Sequence, residues 1–160
     1  MAESDPQAMV TLFGGLNQEE ILILEPLQRE LNLSVKAMDH VYLVATAKAK
    51  WIEHYEAELY GHNLRDRLPD YSMGSCLKYK LPIRCTVVWM SKRAAPKTFP
   101  TQIDVDFWAL QVTLHVRHVK VWELPAAELL RSDRPSLWPW VGAATGTEAD
   151  VFAAGMRIHN

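Results

Sequence analysis

Short apolar runs rich in β-branched and aromatic residues punctuate the chain and are separated by polar segments. These runs predict strands over residues 39–46 and 81–90, and two more strands between residues 103 and 124. The run over 81–90 is almost continuously apolar, which is typical of a central strand buried on both faces. Residues 27–35 alternate well enough to form another strand, although the apolar run before them ends at a proline.

Capping residues and glycines mark the helices. Asp5 is a predicted N-cap, Pro6 suits the first helical position, and Gly14 and Gly15 end this helix. Thr147 is predicted to cap the last helix. Further helices are predicted over residues 68–80, 125–132 and 147–158. Pro69 fits the first of these only within its first turn. Residues 61–67 and 133–140 read as loops.

The order of these elements predicts an α/β (α+β) fold in which helices flank a central mixed β-sheet. A length of 160 residues, about half of them apolar, suits a single domain over residues 1–160 with a substantial core. No internal repeat or nucleotide-binding glycine motif is present.

Net charge and cysteine content limit the classes of partner and the cellular compartment that we expect for this chain. The formal net charge of −2 argues against a protein that coats nucleic acid by charge alone, but it allows a local basic strip. Cys76 and Cys85 have no metal-like spacing and predict two free thiols. The chain begins without a signal-peptide pattern, and no apolar run is long enough to span a membrane. We therefore expect a cytoplasmic protein with no membrane partner.

The segment WIEHYEAELYGH, residues 51–62, is ambiguous. It combines Glu53, Glu56 and Glu58 with two histidines and three aromatic residues. Its local composition by itself favours an amphipathic helix with a solvated acidic face. The alternative is a strand.

If residues 51–60 form a strand, its pairing with residues 39–46 would bring acidic residues together. If residues 39–46 and 51–60 form a hairpin turning between Ala47 and Lys48, the numbers of opposing residues add to 95. Asp39 then lies opposite Glu56, and Glu58 shares their face of the sheet. Opposed like charges are destabilising, so a raised pKa or a bound hard cation would have to offset them.

A resemblance to a known family favours the strand. The runs ILEPLQRELNLSVKAMDHVYLV, WIEHYEAE, RLPDYSMGSCLKYKLPIRCTVVWM and HVRHVKVWELPAAELLRSDRPSLWPWV occur in this order between about residues 20 and 141. Together they resemble the PD-(D/E)XK nuclease superfamily, in particular the bacterial family of recombination-promoting nucleases and transposases. The most specific part is VKVWELPAAELL followed by LWPWV.

The resemblance implies a restriction-endonuclease-like core and a set of site residues. Asp39 falls on the family's metal-binding aspartate at the start of the second core strand, and Glu56 on the glutamate of the third. Glu30 falls on an upstream acidic position, and Tyr71 on an aromatic residue of the following helix. Glu58 departs from the family, which has glutamine or lysine there.

This assignment predicts Mg²⁺- or Mn²⁺-dependent hydrolysis of DNA phosphodiesters, with Asp39 and Glu56 as metal ligands. Glu30 and Glu58 would assist as further catalytic carboxylates. His54 lies on the Glu56 face if the strand is correct; a packed or surface histidine is the favoured interpretation, and a ligand or base role is the alternative. Because a carboxylate at position 58 cannot stabilise an anion, the alternative is an inactive nuclease fold that serves as a binding or assembly module.

Basic residues after the predicted central helix are candidates for phosphate contacts, with ordinary solvated surface charge as the alternative. The candidates for nucleic-acid binding are Lys78, Lys80, Lys92 and Arg93. Sheet edges and exposed tryptophans would also permit a homodimer.

Overall fold

The computed structural model describes residues 5–15, 18–27, 30–31, 36–37, 40–58, 64–93, 95–98, 100–107, 110–131 and 135–159. Within these ranges the α-helices are α1 (Pro6–Leu12), α2 (Leu64–Tyr79), α3 (Ala126–Arg131) and α4 (Glu148–His159). The strands are β1 (Ile23–Pro26), β2 (Glu30–Leu31), β3 (Lys36–Ala37), β4 (His40–Ala45), β5 (Lys50–Glu58), β6 (Ile83–Trp89), β7 (Gln102–Phe107) and β8 (Leu110–Lys120). Short 3₁₀ helices cover Gln18–Glu20, Val121–Glu123 and Pro135–Ala143.

Six of these strands form one mixed sheet in the order β1-β4-β5-β6-β8-β7. β5 and β8 run parallel to β6, and the other neighbouring pairs are antiparallel. β2 and β3 form a separate small hairpin. The prediction of a mixed α/β fold with a helix-flanked central sheet is therefore confirmed.

β5, α2 and β6 form a βαβ unit, because parallel neighbours need a long crossover between them. β6 lies between β5 and β8, and its residues from Cys85 to Trp89 are buried. The apolar run over 81–90 is thus a central strand, as its composition predicted.

Each face of the sheet has its own packing layer. On one face, Phe13 at the end of α1 lies against Tyr55 of β5 and Trp140 of the third 3₁₀ helix, with ring centroids 6.3 and 5.1 Å apart. On the other face, Tyr71 of α2 packs with Val41 and Ile52. β5 is consequently buried from both sides.

The predicted helix caps are present. The Asp5 carboxylate accepts hydrogen bonds from the backbone of Gln7 at 3.0 Å and of Ala8 at 3.3 Å. At α4, the Thr147 N–H donates to Asp150 Oδ2 at 2.7 Å, and the Asp150 N–H donates back to Thr147 Oγ1 at 3.3 Å. Reciprocal capping of this kind satisfies amides that a helix start leaves unpaired.

Three boundary predictions were wrong. α2 begins at Leu64, so residues 64–67 are helical, and Pro69 is the sixth residue of the helix and lies beyond its first turn. The carbonyl that loses a hydrogen-bond donor at Pro69 is that of Arg65, an exposed residue that water can reach. Most of the predicted loop 133–140 is 3₁₀ helix.

Within the predicted strand at residues 27–35, Glu30–Leu31 is strand, but it belongs to the small β2–β3 hairpin. The first strand of the six-stranded sheet is β1, upstream of that prediction, where Pro26 lies on an edge strand and its missing N–H is tolerated. In the described part of the chain, no helix is both long enough and apolar enough to cross a membrane.

A buried carboxylate cluster as the candidate functional site

The hairpin that carries the candidate site has the predicted register. His40 pairs with Tyr55 and Ala45 pairs with Lys50, and the numbers of every described pair between β4 and β5 add to 95. Residues 51–58 are therefore strand, and the helical interpretation of this segment was wrong. Asp39 itself lies outside the described residues, and so does its pairing with Glu56.

Glu56 and Glu58 lie on the same side of β5 and contact the same side chain of α2. Arg67 Nη2 is 2.8 Å from Glu56 Oε1 and also contacts Glu58 Oε1. The two glutamates are only 3% and 6% exposed, whereas about a third of the Arg67 side chain reaches solvent. The cluster is therefore closed on the sheet side and open at Arg67.

Arg67 reduces the repulsion between carboxylates that the sequence predicts on this face of β5. Two buried carboxylates close together repel, and each would be costly without a positive partner. A guanidinium placed between them supplies that partner from within the protein. One guanidinium balances only one of two ionised carboxylates, so Arg67 reduces the repulsion within this pair and does not take the place of a bound cation.

His54 extends the cluster along β5. Its Nε2 lies 3.3 Å from Glu56 Oε2, and its Nδ1 lies 3.7 Å from Cys85 Sγ of β6. Cys85 Sγ is in turn 3.0 Å from Ser72 Oγ of α2. Burial raises the pKa of the Cys85 thiol to about 12, so this sulfur is a neutral, inaccessible group and not an attacking nucleophile.

Four buried polar atoms lack a hydrogen-bond partner within the residues that the structure describes. They are His54 Nε2, Glu56 Oε2, Arg67 Nε and the Tyr55 hydroxyl. Three of the four belong to the cluster. Buried polar atoms are nearly always satisfied, so this concentration is consistent with a site that takes a ligand.

Glu53 belongs to the opposite face of the sheet. It is almost fully buried, accepts a 2.7 Å hydrogen bond from Trp51 Nε1 and lies 3.4 Å from Arg84 Nε. Burial raises the pKa of the Glu53 carboxyl, and the Trp51 hydrogen bond and the nearby charge of Arg84 oppose that shift. Glu53 therefore does not join Glu56 and Glu58.

The remaining predicted site residues are distributed unevenly. Glu30 lies in β2, and its side chain is outside the described part of the structure. Lys78 and Lys80 lie where α2 ends, before the start of β6. Lys92 and Arg93 follow the other end of β6, roughly 20 Å away at about 3.3 Å per strand residue.

Only the second basic pair lies at the same end of the sheet as the carboxylates. β5 and β6 are parallel, Glu58 pairs with Trp89, and the Met90 N–H donates to the Glu58 carbonyl oxygen at 3.0 Å. Lys92 and Arg93 come directly after this contact and are exposed. The four basic candidates therefore do not form one patch.

The described side chains contain no group of three or more His, Cys, Asp or Glu residues arranged to hold a metal ion. Asp39 lies outside these described side chains.

Arg67 is the residue that sequence reasoning missed. It was assigned to a loop, although it lies one turn into the helix that follows the strand carrying Glu56 and Glu58. The available signal was its place at the start of the crossover after β5. In a βαβ unit, that part of the helix lies near the carboxyl end of the preceding strand.

Comparison with known proteins adds no relative: no family model, no curated protein and no solved structure matches this chain. The arguments about function therefore depend on the residues and their geometry.

Proposed function

We propose that this chain is a metal-dependent nuclease domain of the PD-(D/E)XK type that hydrolyses DNA phosphodiesters. The observation that carries the proposal is the buried cluster at the end of β5, where Glu56 and Glu58 face α2 and meet Arg67. Buried polar atoms without hydrogen-bond partners among the described residues lie in this cluster, and they support a ligand-binding site there.

The strand order supports the assignment of the two metal ligands. Apart from the small β2–β3 hairpin, β1, β4 and β5 are the first three strands, and they lie side by side in chain order. The resemblance places its aspartate at the start of the second core strand and its glutamate in the third. Asp39 immediately precedes β4 in the sequence, and the pairing rule that predicted Asp39 opposite Glu56 holds for every described pair from His40 to Ala45.

The residues present fit a cation at this position. Glu56 Oε1 contacts Arg67, while Glu56 Oε2 is buried without a hydrogen-bond donor among the described residues. In this proposal Glu56 and Asp39 hold the ion. The chemistry that a divalent cation supplies at such a site is activation of water and neutralisation of charge on the phosphate.

Arg67 takes the role that the family's lysine would play. Glu58 stands where the family has glutamine or lysine, and Glu58 contacts Arg67. A guanidinium at the open side of the cluster can donate hydrogen bonds to a phosphate and stabilise the charge that develops there. Glu58 then acts by holding Arg67 in place, and Glu30 contributes from the upstream hairpin.

The second candidate function is a binding module with the same fold and no chemistry. Arg67 favours it, because its contacts with both Glu56 and Glu58 already give the pair a positive partner within the protein. In that case the exposed basic residues would bind DNA, or another surface would bind a partner.

Cleavage of supercoiled plasmid in Mg²⁺ or Mn²⁺ tests the proposal. We expect nicking by the natural protein and a loss of at least about 100-fold in Asp39→Asn and in Glu56→Gln, because a ligand to the ion is removed. Glu25→Gln, an exposed carboxylate on edge strand β1, is the matched control and should keep full activity.

The two candidates give different outcomes. Cleavage that survives in both Asp39→Asn and Glu56→Gln would overturn the assigned site. A natural protein that cuts nothing and shows no rise in melting temperature with either metal would favour the binding module.

A further inference from the structure

The His54 imidazole is held in a single orientation. It is 1% exposed, and its ring meets the Tyr71 ring nearly edge-on, with centroids 5.8 Å apart and planes at 75°. Nδ1 faces Cys85 Sγ, and that sulfur is fixed by Ser72 Oγ. An imidazole positioned through one nitrogen by a neighbouring group is the arrangement that metal-binding histidines use.

The other ring nitrogen points at an acceptor. His54 Nε2 and Glu56 Oε2 lie 3.3 Å apart, and neither makes a hydrogen bond with any residue in the described ranges. If Nδ1–H donates to Cys85 Sγ, Nε2 carries a lone pair that faces a carboxylate oxygen. Two facing lone pairs in a buried site are unfavourable unless a proton or a metal cation lies between them, and a metal cation can occupy this position.

The separation of these atoms suits shared coordination. Ligand atoms about 2.0–2.2 Å from one ion, at angles between octahedral and tetrahedral, lie roughly 2.8–3.6 Å apart. His54 Nε2 and Glu56 Oε2 fall in this range without any movement. Glu56 Oε1 can keep its contact with Arg67 at the same time.

We infer that His54 Nε2 is a ligand of the same cation as Glu56 Oε2, and that this imidazole makes the site prefer Mn²⁺ to Mg²⁺. The inference rests on the metal site of the proposed function and names its metal. Mg²⁺ favours oxygen ligands and gives up its water reluctantly, whereas imidazole nitrogen binds first-row transition ions well.

Metal binding measured without DNA tests this inference. Isothermal titration of metal-stripped protein should give a dissociation constant for Mn²⁺ at least about tenfold below that for Mg²⁺. His54→Asn removes Nε2 but keeps an amide N–H for Cys85, so it should weaken Mn²⁺ at least about tenfold and leave Mg²⁺ nearly unchanged. His115→Asn, on an exposed part of β8, is the matched control.

A spectroscopic measurement on the natural protein makes the test independent of any variant's folding. Electron spin-echo envelope modulation of bound Mn²⁺ should show coupling to a directly bound imidazole nitrogen. Absence of that coupling, or equal Mn²⁺ preference in His54→Asn and the natural protein, would overturn the inference.

The inference and the proposed function can fail separately. Plasmid cleavage that depends on Glu56, with no nitrogen coupling to Mn²⁺, would leave the nuclease standing and remove His54 from the site. If Mn²⁺ shows nitrogen coupling but the protein cuts no plasmid, the role of His54 as a metal ligand is supported and the proposed nuclease activity is overturned. A natural protein that binds neither metal would contradict the inference directly.

Discussion

At the scale of single residues, the most consequential contact is the one between Arg67 and two buried glutamates. The carboxylates of Glu56 and Glu58 are sequestered by β5 and α2, and the guanidinium is the positive group that the structure places beside both. The stability of this part of the protein therefore depends on a side chain whose own surface is one-third exposed.

Arg67→Ala should lower the free energy of unfolding by about 1–3 kcal/mol, because it leaves two buried carboxylates without their partner. The partial exposure of Arg67 keeps this below the cost of breaking a fully buried pair. Urea denaturation at pH 7 measures the change. Glu58→Gln added to Arg67→Ala should recover part of the loss.

Arg65→Ala provides the control, since Arg65 is an exposed arginine in the same helical turn. Equal stability of the two single variants would show that Arg67 contributes no more than an ordinary surface arginine.

Glu53 gives a pH-dependent prediction on the opposite face of the sheet. Burial raises the pKa of its carboxyl above the unfolded value of 4.5, so just above pH 4.5 the folded state binds more protons than the unfolded state. Stability then falls as the pH rises through this window, up to the folded pKa. Glu53→Gln removes that dependence.

We therefore expect the free energy of unfolding of Glu53→Gln, relative to that of the natural protein, to increase as the pH rises above 4.5. Urea denaturation between pH 4 and 7 follows this difference, with Glu25→Gln as the control. A difference that stays constant across the range would mean that Glu53 titrates alike in both states.

At the scale of elements, the βαβ unit determines which basic residues lie near the carboxylate cluster. The chain leaves β5 at Glu58, returns through α2 and enters β6, so the start of α2 and the end of β6 lie near the cluster. Lys92 and Arg93 come directly after β6 at that end. Lys78 and Lys80 lie at the opposite end, although the sequence groups all four.

If the cluster acts on DNA, Lys92→Ala with Arg93→Ala should weaken DNA binding and reduce the slope of log affinity against log salt by up to about 2, because each lost phosphate contact reduces it by about 0.9. Fluorescence anisotropy over a salt series measures both quantities. Lys78→Ala with Lys80→Ala, which removes the same number of charges, should change neither. A larger effect of the Lys78 and Lys80 substitutions than of the Lys92 and Arg93 substitutions would mean that DNA binds at the opposite end of the sheet from the cluster.

At the scale of the whole molecule, the six-stranded sheet joins the two halves of the chain through β6. Its neighbours are β5 from the first half and β8 from the second, and both Val87 and Val88 of β6 are fully buried. β1 and β7 form the edges of the sheet. The candidate site is thus built on strands near the centre of the sheet.

Native-state hydrogen exchange should therefore be slowest at the amides of Val87 and Val88, with protection close to that of global unfolding. Amides of β7, such as that of Val105, should exchange at least about tenfold faster, since an edge strand opens without unfolding its neighbours. Similar rates in β6 and β7 would contradict the sheet order.

Much of the local structure could be predicted from the sequence, because its causes lie close together in the chain. Asp5 and Thr147 cap helices through contacts within four residues, and the apolar run over 81–90 marks a strand buried on both faces. The tight turn after Thr46 fixes the pairing of β4 with β5, so the register followed from counting residues. It also set Glu56 and Glu58 on one face, since strand side chains alternate.

The tertiary structure alone decided what surrounds those glutamates. Arg67, Ser72 and Cys85 are 11 to 31 residues from Glu56 or His54, and no local pattern states which of them will meet. Their contacts follow from how α2 packs on β5 and β6, a packing determined by burial across the whole sheet. The sequence by itself determined a strand with two carboxylates on one face; the packing of a helix against that strand paired them with Arg67 and turned His54 toward Glu56.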